Sequence, residues 1–298
     1  MIYTKLISGL GNQLFQYAIA RHISIIKGVP LKLDLSFYSS QNLRSFKLDH
    51  YNIEATVASE DEINRIINFH ESNTWYDKFK KKMEFLLPPE KRMSFMKERE
   101  WWVFEPQIFE ATKNTYLNGY WQHYKYFENL STQIFKELTL KEQFDYNSNS
   151  ELKNIFSEDS SAVSIHIRRG DYITDGNANK LMGVLPLEYY FKAISYINET
   201  VSSPNYFIFS DDLDWAKENL NIKAPVTLVD LDGGKKDYVE IDAMSKCKHN
   251  IIANSSFSWW GAFLNQNPNK IVISPSQWVL PKNINSRIQL QFPSWIKL

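Results

Sequence analysis

Cysteine is almost absent from this 298-residue chain. Cys247 stands alone, so no intramolecular disulfide can form, and a single thiol fits a reducing compartment. Net charge is missing too: 34 basic residues balance 34 acidic ones, which removes any global pull toward nucleic acid. No apolar run approaches the ~18 residues needed to span a bilayer, and the N-terminus has no signal-peptide pattern. The triplets at Asn129, Asn198 and Asn254 match glycosylation acceptors, but without secretion they carry no meaning. What remains is ordinary for a globular protein, with 43% hydrophobic and 23% charged residues. The length allows two modest domains or one large one. Aromatics reach 15%, which suits carbohydrate handling and equally suits a large core.

One stretch organises the rest. Val163, Ile165 and Ile167 alternate as in a strand entering the core, and the run ends in Arg168, Arg169, Gly170 and Asp171. Guanidinium groups stay charged and present a planar fork of donors suited to phosphate oxygens. At the carboxyl end of a buried strand they stand where open α/β sheets bind ligands. The plainer alternative is a pair of surface ion pairs worth little. Neighbouring strand residues point to opposite faces, so only one arginine is expected to face a ligand.

From the start, a short strand over Tyr3–Ile7 runs into Ser8-Gly9-Leu10-Gly11-Asn12. An amphipathic helix pattern follows, through Leu14, Phe15, Ala18, Ile19, Ile25 and Ile26, and Gly28 closes it. Strand, glycine turn and helix start form an anion-friendly corner. Leu31–Leu35 gives a second strand with Asp34 near its end. A glycine pair after a strand, with an acid on the next strand, mimics a dinucleotide-binding fingerprint. Its third glycine belongs at position 14, where Leu14 stands, so binding of a nicotinamide dinucleotide ranks below sugar-nucleotide chemistry. Asn12 reads either as a ligand contact or as a simple helix cap.

Ser59 to Glu100 reads as helical and charged. Lys78, Lys80, Lys81, Lys82, Lys91, Arg92, Lys97 and Arg99 form a basic run that is either a solvated helix face or a contact for an anionic membrane. A strand is expected to end at Gly119, with Tyr120 and Trp121 read as core in preference to a sugar platform. Polar Asp145–Ser150 marks a boundary, giving domains 1–150 and 151–298.

Beyond Asp171 the sequence predicts a polar loop over 174–180, a helix from Pro186 to about Asn198, and a strand over Asn205–Phe209 ending in Ser210-Asp211-Asp212. Those two aspartates either hold a divalent metal or act structurally, Asp212 as a cap and Asp211 as a partner for backbone amides or an arginine. A strand over Val226–Val229, a helix over Asp237–Lys246 and a strand over Ile251–Ala253 follow. Asn254-Ser255-Ser256 then precede an apolar helix, where they serve as caps or put hydroxyls and free amides at a phosphate site. Lys270–Ser274 is a last strand, and the tail with Trp278 and Trp295 is expected to pack back on the body.

Four motifs together carry a resemblance: His166-Ile-Arg-Arg-Gly-Asp-Tyr172, Gly9-Leu-Gly-Asn-Gln-Leu-Phe-Gln-Tyr-Ala18, Tyr116-Leu-Asn-Gly-Tyr-Trp121 and Asn254-Ser-Ser-Phe-Ser-Trp-Trp-Gly261. In order and spacing the chain is similar to bacterial α-1,2-fucosyltransferases of glycosyltransferase family 11. The resemblance implies a GT-B fold of two Rossmann-like α/β domains facing across a cleft, acceptor on the N-terminal side and donor on the C-terminal side. It implies metal-independent, inverting transfer of fucose from GDP-fucose to the 2-hydroxyl of a galactose, with no cofactor, in the unanchored bacterial form, cytoplasmic or at the inner membrane face. A lipid-linked surface glycan is the implied acceptor.

By the same resemblance Arg168 steadies the leaving diphosphate, helped by Asn12, and Asp171 is the acid nearest the arginines, as base or as an orienting group. Asp175 and Asp34 are further candidates for the base. His166, Arg169, Gly9, Gly11, Asn254, Ser255 and Ser256 are the donor-binding set. The family's guanine-contacting acid falls on Glu240, with Asp242 nearby. A nicotinamide-dependent oxidoreductase and a non-catalytic carbohydrate-binding protein are the alternatives.

Overall fold

The structure, a computed structural model, describes residues 1–71, 75, 79, 86, 88, 92–157 and 161–298. Two compact units divide it, Met1–Thr139 and Leu140–Leu298. The polar run at 145–150 therefore lies inside the second unit. The Tyr146 hydroxyl donates to Asp242 at 2.5 Å and the ring packs edge-on against Phe156, which ties the segment there.

The first unit is built on β1 (Ile2–Lys5), α1 (Leu10–Lys27), β2 (Leu31–Asp34), β3 (Thr56–Val57), α2 (Glu60–Glu71), β4 (Met93–Lys97) and β5 (Asn114–Asn118). Its strands are all parallel, in the order β3-β2-β1-β5-β4. β1 is buried at Ile2, Tyr3 and Thr4, as a central parallel strand must be. α1 buries almost its whole first half and closes on Gly28, whose φ of 62° is the left-handed conformation that glycine tolerates. The expected helix over 59–100 is corrected in part: Glu60–Glu71 is helical, but Met93–Lys97 is an edge strand on β5. Phe95 stacks on Tyr116 with ring centroids 5.0 Å apart, a pairing partner that local composition does not reveal. Lys78, Lys80, Lys81, Lys82 and Lys91 lie outside the described residues.

The second unit runs through β6 (Ser161–Ile167), α3 (Gly170–Thr174), α4 (Gly176–Leu181), α5 (Leu187–Thr200), β7 (Pro204–Ser210), α6 (Leu213–Asn219), β8 (Val226–Val229), α7 (Asp237–Lys246), β9 (His249–Ile251), α8 (Ser256–Leu264), β10 (Val272–Ser274) and β11 (Ile296–Lys297). The sheet is parallel throughout, ordered β11-β10-β9-β6-β7-β8. Two expectations shift. The polar loop over 174–180 is mostly helix, because the Asp175 carboxylate accepts the N–H groups of Asn177 and Ala178 and nucleates a turn. The strand expected at 251–253 ends at Ile251, where its register with Ile165 stops, and the chain then turns into α8. The tail does pack back: β11 pairs with β10, and Trp278 and Trp295 are buried.

Each sheet has a point where successive strands turn to opposite sides. In the first unit it lies between β1 and β5, in the second between β6 and β9. Ligands of open α/β sheets bind at such points, beyond the carboxyl ends of the strands. Among the described residues, no helix is long and apolar enough to cross a membrane.

Candidate active site

At the β6/β9 switch point of the second unit, β6 delivers Arg168 and Arg169, β7 delivers Asp211 and Asp212, and β9 leads into Asn254–Ser256. The two arginines diverge, as alternation requires. Arg168 is clamped by two carboxylates: its Nη2 lies 2.8 Å from Asp171 Oδ1 and its Nη1 3.0 Å from Asp211 Oδ2. Arg169 turns onto Asp212, 2.9 Å from Nε, and lies over the Trp215 ring at 3.9 Å. Arg169 is thereby occupied structurally, and Arg168 is the arginine that lies over Tyr172, whose hydroxyl reaches the loop after β9.

Asp211 also accepts the backbone N–H of Arg169 at 2.9 Å and of Gly170 at 3.1 Å. That contact explains Gly170. A Cβ there would stand 2.7 Å from Asp211 Oδ2, so only glycine lets the carboxylate approach. Asp212 caps α6 through the Trp215 N–H. Both aspartates carry structural contacts here, Asp211 to two backbone amides and Arg168 and Asp212 to a helix start and Arg169.

The loops after β6 and β9 are joined. The Tyr172 hydroxyl donates to the Asn254 carbonyl at 2.9 Å, the Tyr172 ring lies 5.8 Å from the Arg168 guanidinium carbon, and the His166 and Phe257 rings are 5.4 Å apart. Asn254 is buried with its amide nitrogen spent on the carbonyls of Met182, Gly183 and Trp278, while its Oδ1 has no partner among the described residues. Ser255 caps α8 by accepting the Phe257 N–H, and Ser256 opens that helix. His166 is buried and its Nδ1 lacks a partner among the described residues; burial, with Arg168 nearby, holds its pKa down to about 3, so the ring is neutral. Two orphaned buried polar atoms at one switch point are unusual in a folded chain.

On α7, Asp242 is engaged by Tyr146 and by Lys246 at 3.6 Å. The Glu240 carboxyl makes no hydrogen bond or ion pair among the described residues. Burial, reinforced by Asp237, Asp230, Asp211 and Glu151, raises that carboxyl to about 8. Of the other acids considered as a base, Asp175 caps α4, and Asp34 is buried, accepting from Tyr116 and from the Ser36 N–H. Asp171 alone of the three lies beside Arg168.

At the β1/β5 switch point of the first unit, Gly9 precedes α1 and Gly11 and Asn12 lie in its first turn. Residues not singled out in the sequence build this corner. Gln16 accepts the Ile7 N–H and donates to the Gly119 carbonyl, stitching the ends of β1 and β5. Gln13 donates to the Ser8 and Ser45 carbonyls and accepts the Lys47 N–H. Glu98 is buried, with its pKa raised by burial to about 7, and accepts the N–H groups of Tyr120 and Trp121. The available signal was polarity out of place: Gln13 and Gln16 interrupt an otherwise apolar helix start. Trp121 is core as expected, while Tyr120 is half-buried.

The chain matches Glycosyl transferase family 11 over residues 1–296. It is 35% identical to the O-antigen biosynthesis glycosyltransferase WbnK of Escherichia coli, covering 100% of both chains. It is 33% identical to an alpha-1,2-colitosyltransferase of Escherichia coli over 96% of this chain and 95% of that one. The galactoside alpha-(1,2)-fucosyltransferase 2 of Rattus norvegicus is 27% identical over 50% of this chain and 43% of its own. Among solved structures, the NodZ alpha-1,6-fucosyltransferase soaked with GDP-fucose superposes with TM-score 0.50 at 15% identity, covering 88% and 91% of the two chains. A variant of Arabidopsis thaliana FUT1 in complex with GDP gives TM-score 0.52 at 10% identity, covering 91% and 69%. These likenesses extend to the fold alone, the α/β GT-B fold. With two parallel α/β units and a family match along nearly the whole sequence, the chain belongs to glycosyltransferase family 11.

Proposed function

We propose that this enzyme transfers a 6-deoxyhexose, fucose in the first instance, from its GDP derivative to the 2-hydroxyl of a galactose in a bacterial surface glycan, inverting the anomeric centre without a metal. The observation that carries this reading is the clamped guanidinium of Arg168 beside a helix-start loop at the β6/β9 switch point. Departure of GDP leaves charge on the β-phosphate while the sugar gains oxocarbenium character, and preorganised donors are the means of stabilising it. Arg168 supplies the charge, Ser255 or Ser256 and the α8 amides supply further donors, and Asn12 adds a substrate-contacting amide. Asp171 holds Arg168 in place. Glu240 takes the guanine edge, since Asp242 is already engaged. The basic residues of the 78–99 run and a peripheral membrane contact belong to the same proposal for a lipid-linked acceptor.

A second donor has a specific observation in its favour: the 33%-identical relative is named for colitose, not fucose. Incubation with GDP-fucose and lactose in the presence of a chelator should yield GDP and a fucosylated trisaccharide. Turnover of GDP-colitose alone would reassign the donor, and release of no GDP from either would refute transfer.

A further inference from the structure

The first unit holds a polar relay whose direction is forced from one end. The indole N–H of Trp102 donates to Gln122 Oε1 at 2.5 Å. Gln122 Nε2 donates to Asn12 Oδ1 at 2.5 Å, and Asn12 Nδ2 donates to Ser8 Oγ at 2.9 Å. An indole can only donate, so the carbonyl of Gln122 must face Trp102. Its NH2 then faces Asn12, and the Asn12 carbonyl must turn toward Gln122. The amide nitrogen of Asn12 is left on the side of Ser8 and the start of α1. Without Trp102 either amide could turn over, because oxygen and nitrogen are nearly isosteric.

The relay crosses the switch point, from Trp102 in the loop between β4 and β5 through Gln122 in the loop after β5 to the first turn of α1, with Trp102 and Gln122 both buried. It is also where the backbone is strained. Five non-glycine residues have positive φ among the described residues, and three of them sit here: Ser8 at 69°, Trp102 at 63° and Trp121 at 54°. Such conformations persist only where surrounding contacts enforce them, and they concentrate at working sites. Ser8 and Trp102 are the two ends of the relay. Glu98 holds the third, by accepting the Trp121 N–H.

We infer that Gln122 is a positioning residue for transfer: read through Trp102, it fixes the Asn12 amide so that its donor end, and not its carbonyl, is presented toward the glycine corner. A carbonyl there would repel the negative oxygens of a diphosphate or of a transferring sugar, whereas an N–H stabilises them. The inference rests on the substrate-contacting role given to Asn12 above.

The test uses the full-length enzyme, GDP-fucose and lactose, with Gln122→Glu as the principal variant. When ionised, the introduced carboxylate accepts from Trp102 but cannot donate to Asn12, so Asn12 turns over. At pH 8 kcat should fall about 100-fold, the scale of losing one transition-state donor, with the donor KM changed less than about twofold. A protonated carboxyl donates as the amide did. The deficit in kcat should therefore shrink about tenfold between pH 8 and pH 5.5, measured against wild type at each pH, as the carboxyl regains its proton. The Tm deficit should shrink with it, and this needs no substrate.

Wild-type kcat for Gln122→Glu, or a loss equal at every pH, overturns the inference. Should that variant not fold, Trp102→Phe keeps an aromatic ring and deletes the N–H; kcat should fall about tenfold, and an unchanged kcat overturns the inference equally. Asn12→Ala at the wild-type rate would remove both the role of Asn12 and the relay. A wild-type enzyme that does not turn over GDP-fucose would count against the proposed donor, and the pH dependence of Tm would still decide the relay.

Discussion

Replacing Asp211 with asparagine removes one charge and no volume, yet it strikes the group on which the arginine site hangs. Oδ1 accepts the Arg169 N–H at 2.9 Å, while Oδ2 serves the Gly170 N–H at 3.1 Å and Arg168 Nη1 at 3.0 Å. An asparagine can satisfy only one side. In its better orientation the carbonyl faces Gly170 and Arg168, and the NH2 group opposes the Arg169 N–H. One bond is lost outright, at about 2 kcal/mol, and two others fall from charge-assisted to neutral or half-charged, at roughly 0.5–1 kcal/mol each. The sum is at least about 3 kcal/mol. The Asp211 side chain is 25% exposed, so screening by solvent does not cancel it. For a unit of this size about 3 kcal/mol lowers Tm by roughly 6–12 °C. Arg168 would keep Asp171 as its one charged partner of the two, and kcat should fall about 10- to 100-fold through misplacement of the guanidinium. Calorimetry and steady-state rates measure both. A Tm within about 2 °C of wild type, together with unchanged kcat, would refute the clamp.

Arg168→Ala should cut transfer about 1000-fold while far-ultraviolet circular dichroism stays that of the folded chain, and retained turnover would remove Arg168 from the mechanism. Gly170→Ala places a Cβ 2.7 Å from Asp211 Oδ2 and should reproduce much of the Asp211→Asn loss; wild-type Tm would show that the carboxylate has room to move. Glu240 titrates near 4.5 when unfolded and near 8 when folded, so the stability linked to it is full below pH 4.5 and gone above about pH 8. Glu240→Gln should accordingly flatten the decline of Tm between those values, and an unaltered profile would mean the carboxyl is not buried as described. Gly119→Ala puts a Cβ 2.4 Å from that of Glu98, and a loss of several degrees in Tm is expected; no loss would show that the two backbones can part.

Alternation and punctuation in the sequence determined much of the fold. The apolar runs at 163–167, 205–209 and 226–229 are strands, Gly28 ends α1, and Arg168 stands at the end of a central strand because a buried run followed by charge can only emerge at a sheet edge. Capping chemistry placed Ser255 before α8 and anticipated the structural work of Asp211 and Asp212. Tertiary structure alone decided which groups meet. Met93–Lys97 is a strand only because β5 offers it a ladder, and Asp211 reaches Arg168 only because β6 and β7 are neighbours. The relay from Trp102 through Gln122 to Asn12 spans about 110 residues and has no local signature. Hydrogen-bond direction is a property of partners brought together by packing, whereas periodicity is a property of the chain itself.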